Sequence, residues 1–152
     1  MIIRLPYPFA LLIGRLLLGG MYLGSGITNL IELEGKAGYA ASKGLPAATV
    51  LVPLASLLLL VGGISIATGL RPRLGIAAIA LFLIPVTLIM HNFWALDGMQ
   101  RMSELHSFQS NLGLLGGALM LLAIPQPWPL SLDTWIASFG TAVRKQRARN
   151  TT

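Results

Sequence analysis

The chain reads as an all-α membrane protein: a four transmembrane helix bundle followed by a C-terminal interfacial amphipathic helix. Three observations predict this. Of 152 residues, 55% are hydrophobic and only 11% charged, with a mean hydropathy of +0.74, where a soluble domain carries about 25% charge. Four apolar stretches, 8–31, 47–70, 74–94 and 107–124, approach the roughly 20 residues that a helix needs to cross a bilayer. The basic residues gather at the ends of those stretches rather than spreading into a nucleic-acid footprint.

The first span is interrupted only by Arg15. No small-x-small cleavage site closes it, so it reads as a retained span rather than a signal peptide. The connection from Glu32 to Pro46 holds Gly35, Gly38 and Gly44 and is long enough for a small re-entrant or surface element. The second span carries no charge. Only Arg71-Pro72-Arg73 separates it from the third, which predicts a tight antiparallel hairpin. Pro85 is expected to bend the third span. The connection from Ala95 to His106 holds Asp97, Arg101 and Glu104 and reads as a solvated loop. Gly20 with Gly24, Gly113 with Gly117, and the pair Gly62-Gly63 offer close helix approach, which matters where lipid removes the hydrophobic drive for helices to associate. Pro125, Pro127 and Pro129 stop the fourth span, closing a membrane domain over 1–130. Ser131 can then cap a new helix. Leu132, Trp135, Ile136, Phe139 and Val143 recur on one face of it, and Arg144, Lys145, Arg147 and Arg149 follow. Residues 131–152 thus read as an amphipathic helix on the membrane with a basic, disordered tail.

Four crossings put the N-terminus, the second connection and the C-terminal tail on one side. That side holds Arg4, Arg71, Arg73, Arg144, Lys145, Arg147 and Arg149; the other holds Lys36, Lys43 and Arg101. The excess places both termini in the cytoplasm. The expected partners are the lipid bilayer and other membrane subunits, with no nucleic acid. The absence of cysteine removes disulfides, thiol redox centres and cysteine metal sites.

Candidate ligand-binding residues gather at the outer ends of the spans: Asn29 on the first, His91, Asn92 and Trp94 at the third, His106, Gln109 and Asn111 at the fourth. Three spans converge on one level, which calls for mutual hydrogen bonding or a ligand. Arg15 divides evenly between snorkelling to the headgroups and a buried role. His91 and His106 without carboxylate or cysteine support are weak ligands for a metal or haem, so no metal site is assigned and haem is disfavoured. Trp94, Trp128 and Trp135 read most simply as an aromatic belt, and Gln109 and Asn111 as interhelical hydrogen bonds. No catalytic residue is assigned.

Several pieces together carry a resemblance. They are Arg15-Leu16-Leu17-Leu18-Gly19, Gly24-Ser25-Gly26-Ile27, Ala41-Ser42-Lys43-Gly44-Leu45-Pro46, Gly62-Gly63, Gly69-Leu70-Arg71-Pro72-Arg73, His91-Asn92-Phe93-Trp94, Asn111-Leu112 with Gly116-Gly117, and Ser131-Leu132-Asp133. In order and spacing the chain resembles the DoxX family of small four-helix bacterial inner-membrane proteins, from Arg15 to about Asp133. The resemblance implies an accessory subunit of a membrane redox system, since relatives are linked to a thiosulfate:quinone oxidoreductase and to oxidative-stress complexes. Quinone is the cofactor it suggests. The alternative is a non-catalytic protein that docks to or stabilises a larger assembly. The chain departs from the family pattern at three positions. Asn29 and Ser110 stand where lysines are frequent, and Leu59 where a glutamate is frequent. Intramembrane charges are costly and usually functional or paired, so the departures together look like the removal of a network.

Overall fold

The computed structural model describes residues 6–150, and from 142 onward the backbone together with the side chain of Gln146. Arg4 lies outside the described residues, as do the side chains of Val143, Arg144, Lys145, Arg147 and Arg149. The described residues are helical and contain no strand. Helix α1 spans Tyr7–Ile31, α2 Leu33–Ser42, α3 Ala48–Thr68, α4 Pro72–Met90, α5 Gly98–Met120 and α6 Leu132–Asn150, with single 3-10 turns at Phe93–Ala95 and Leu121–Ala123. Three segments are long and apolar enough to cross a membrane: α1, α3 and the stretch Pro72–Ala95 that contains α4.

α3 is flanked by α1 and α4, and α5 packs mainly against α4. α1 and α5 barely meet, although the Tyr22 hydroxyl donates to the Leu114 carbonyl at 2.8 Å. The core runs along this arrangement through Leu11, Tyr22, Leu59, Ile66, Ile76, Ile79, Leu83 and Ala118. The expected hairpin is there: Ser65 Oγ donates to the carbonyl of Leu70 at 2.7 Å across the α3–α4 turn. Glycines set the closest approaches. A Cβ on Gly63 would lie 2.8 Å from the Gly19 carbonyl oxygen, and one on Gly19 2.7 Å from the Gly63 carbonyl oxygen. The pairs Gly20/Gly24 and Gly113/Gly117 serve no such purpose, since a Cβ at any of the four meets nothing within 4 Å. The rotation of α1 puts Arg15, Gly19, Tyr22 and Gly26 inward instead.

Two connections carry more structure than their sequences suggest. The stretch expected as a solvated loop around Arg101 and Glu104 is the first half of α5, which begins at Gly98 and not near Ser107. A helix can be polar where it faces water, so charge does not end it. The basic C-terminal stretch is likewise helical to Asn150, because Arg, Lys and Gln are good helix formers. Ser131 does cap α6: the Thr134 N–H donates to its Oγ at 3.2 Å.

Arg15 resolves toward burial, at 2% exposure. Its guanidinium donates to the carbonyls of Pro129, at 3.3 Å, and of Leu130. Leu130 takes a left-handed φ of 53°. Gly69, also left-handed at 68°, sits where a Cβ would strike Ser131 and Arg15. Trp128 is wholly buried in this plug and so is not part of an aromatic belt; its indole N–H reaches the Ile124 carbonyl at 3.4 Å. The Arg71 N–H donates to Asp133 at 2.9 Å. The α1 start, the α3–α4 turn and residues 128–133 therefore meet at one end of the bundle.

Candidate functional site

The opposite end is built around α2. Its Ala37 and Ala40 pack with Ala48 of α3, together with Leu45, Val52 and Met90. Small side chains let this short helix lie close, which brings Tyr39 and Lys43 over the end of α4. There the helix stops: His91 has left helical geometry at φ −113°, ψ 50°, which frees its ring from the helix surface. Phe93, Trp94 and Phe108 form an edge-to-face trio with centroids 5.2 to 6.1 Å apart, fixing the turn against α5.

α5 supplies the hub. Glu104 Oε1 accepts from the Tyr39 hydroxyl at 2.8 Å and from Lys43 Nζ at 3.0 Å, while Oε2 lies 2.7 Å from His91 Nδ1. The Glu104 side chain is only 15% exposed. Burial pushes its carboxyl up, but the hydrogen bonds from His91, Tyr39 and Lys43, with the lysine charge, outweigh that and hold it at about 2. The same bond to Glu104 raises Lys43. Burial first, then the carboxylate, raises Tyr39.

Beneath this cluster lies a cavity of about 570 Å³, within the range of about 300–1,000 Å³ usual for small-molecule sites. Its walls are apolar, from leucines 51, 54, 58, 59, 81 and 83 to Phe82 and Ile89. Its polar end presents Asn29 of α1, Lys36 and Tyr39 of α2, His91, and Asn111 of α5. A second, smaller cavity of about 270 Å³ lies on the other side of the cluster, lined by Tyr39, Lys43, Gln100, Ser103 and Glu104.

The structure thus brings Asn29, His91 and Asn111 to one cavity and leaves the other sequence candidates outside it. Arg15 is at the opposite end. Trp94 belongs to the aromatic trio, His106 and Gln109 are exposed, and Asn92 buries an Oδ1 with no partner. Gln109 and Asn111 make no hydrogen bond through their side chains among the described residues. His91 and His106 do not share a site, and no group of three or more metal-ligating side chains occurs among the described residues. Sequence reasoning missed Glu104, Tyr39 and Lys43. Two of the positions that depart from the family pattern, Asn29 and Leu59, line the cavity, while Ser110 is exposed and bonds to the His106 carbonyl. The DoxX family model matches residues 10–92, which contain α1 through α4 almost whole. No curated protein and no solved structure matches the chain.

Proposed function

The chain belongs to the DoxX family of membrane proteins, and from that premise we propose that it is an accessory subunit of a quinone-linked redox complex in the bacterial inner membrane. In this reading α5 is a fourth crossing, both termini are cytoplasmic, and α6 lies on the inner surface with Trp135, Ile136 and Phe139, all more than half exposed, turned to lipid.

The cavity is the observation that carries the reading. A quinone joins a flat ring with two carbonyl acceptors to a long apolar tail. It needs a mostly greasy space with a few polar groups at one end, and Asn29, Lys36, His91 and Asn111 supply such an end. A bound quinone would carry two electrons and two protons between its oxidised and reduced forms, exchanging the electrons with a partner subunit. Neutral residues at Asn29 and Leu59 favour an uncharged occupant. A purified, full-length sample tests this by extraction of its lipids. Quinone, in its oxidised and reduced forms together, is expected in the wild type, and His91→Ala should lower that total about tenfold while costing about 1 kcal/mol or less of stability. Equal quinone content in both proteins sinks the reading.

A second reading, docking without chemistry, is favoured by one observation. Met99 and Met102 are 88% and 68% exposed beside the site, and adaptable methionine surfaces suit partner contacts.

A further inference from the structure

His91 lines the large cavity and Glu104 does not, so the imidazole stands between the carboxylate and the space below. Glu104 is held ionised by three neighbours, and an ionised carboxylate can only accept hydrogen bonds. The 2.7 Å contact must then be His91 Nδ1–H donating to Glu104 Oε2. In a neutral imidazole that leaves Nε2 with a lone pair. Nε2 makes no hydrogen bond among the described residues. Tyr39 of α2 and Lys43, just past its end, occupy the other carboxylate oxygen and keep it from turning away.

We propose that Glu104 fixes His91 as the hydrogen-bond acceptor and base of the cavity, and that the ligand form it selects is the hydroxylated, reduced one: a quinol, or another phenol with an apolar tail. The ligand class rests on the quinone reading above; the tautomer does not. A quinone carbonyl offers Nε2 nothing to accept, whereas a quinol hydroxyl donates to it. In the step this permits, the ligand O–H bond breaks and an Nε2–H bond forms. The electron pair stays on the oxygen as a phenolate, and Glu104 balances the imidazolium charge. No oxidant is needed for that proton transfer. Glu104 acts through His91 and is a positioning residue.

Two measurements on the full-length protein test it. The first is nitrogen-15 NMR of the side chain in His106→Gln, which leaves His91 as the one histidine. At about pH 8 the Nδ1–H tautomer is expected, and Glu104→Ala should abolish the preference. The second is anaerobic binding of a ten-carbon-tailed benzoquinol and its matching benzoquinone. The quinol should bind about tenfold more tightly, the size of one good hydrogen bond. Glu104→Ala should remove that margin by weakening the quinol alone, and Glu104→Asp should restore part of it. An Nε2–H tautomer in the wild-type background overturns the base assignment whatever binds. Quinone bound as tightly as quinol overturns the ligand selection. If neither probe binds while the Nδ1–H tautomer is present, the quinone reading and the ligand class fall together and the base assignment stands.

Discussion

Glu104 works by collecting donors. Three side chains from two other segments, Tyr39 of α2, Lys43 at its C-cap and His91 at the end of α4, converge on one carboxylate. The group pins α2 over the cavity only while it is charged. Its pKa is lowered in the fold, from an ordinary value of 4.5 to about 2. A lowered carboxylate stabilises the fold fully above its unfolded pKa and loses that contribution as pH falls toward the folded one. The stability difference between wild type and Glu104→Gln should therefore shrink as pH falls from about 4.5 to about 2. Thermal unfolding of both proteins across that range measures it. A difference that does not change on acidification would show that Glu104 is not held as described. His91 lay in plain view in the sequence because a histidine beside an asparagine and a tryptophan at the end of an apolar run stands out. Glu104 did not, because one carboxylate among Asp97, Arg101 and Glu104 looks like any solvated charge until α2 is folded over it.

At the scale of the element, helix rotation decides which residues matter. Composition alone locates the apolar helices, and the short Arg71-Pro72-Arg73 link makes the α3–α4 hairpin unavoidable. Which face of α1 is buried is harder to read. The spacing of Gly20 and Gly24 invites a small-xxx-small reading, yet both face outward. The buried stripe is Leu11, Arg15, Gly19, Tyr22 and Gly26, and the signal for it was the recurrence of one charged and one aromatic polar residue in step with two other glycines. The consequence is measurable. Gly63→Ala places a methyl 2.8 Å from the Gly19 carbonyl oxygen and 3.0 Å from the Leu23 nitrogen. Backbone cannot step aside as a flexible side chain can, so α1 and α3 must separate, at a cost of about 1–3 kcal/mol. Gly20→Ala meets open space and should be neutral or stabilising by up to about 1 kcal/mol, the helix-propensity gain. Unfolding of the two variants in mixed detergent ranks them. Equal stabilities would mean that the α1–α3 contact is looser than the packed glycines imply.

At the scale of the whole molecule the open question is whether α5 crosses the membrane. The apolar stretch from Asn111 to Ile124, the end of α5 with the 3-10 turn after it, is about 14 residues and only about 21 Å long even if wholly helical, short of a hydrocarbon core of about 30 Å. The bundle itself argues that α5 runs its full length. Glu104 is bonded to Lys43 and His91 at one end, and the chain that leaves α5 is bonded through Pro129 and Leu130 to Arg15 at the other. Arg15 is near the start of α1 and His91 is at the end of α4, so these are opposite ends of helices long and apolar enough to span. A crossing α5 would meet the deficit in apolar length by local thinning and by polar side chains reaching the interface. The chain has no cysteine, so single cysteines report sidedness without background. A membrane-impermeant maleimide should label Ser103→Cys in cells whose inner membrane is intact, and Ser138→Cys only after that membrane is opened. Labelling of both in intact cells would put both ends of α5 on the outer side and overturn the crossing. Labelling of Ser138→Cys alone would invert the bundle, with Arg15 and the Trp128 plug outside and the polar end of the cavity on the cytoplasmic face.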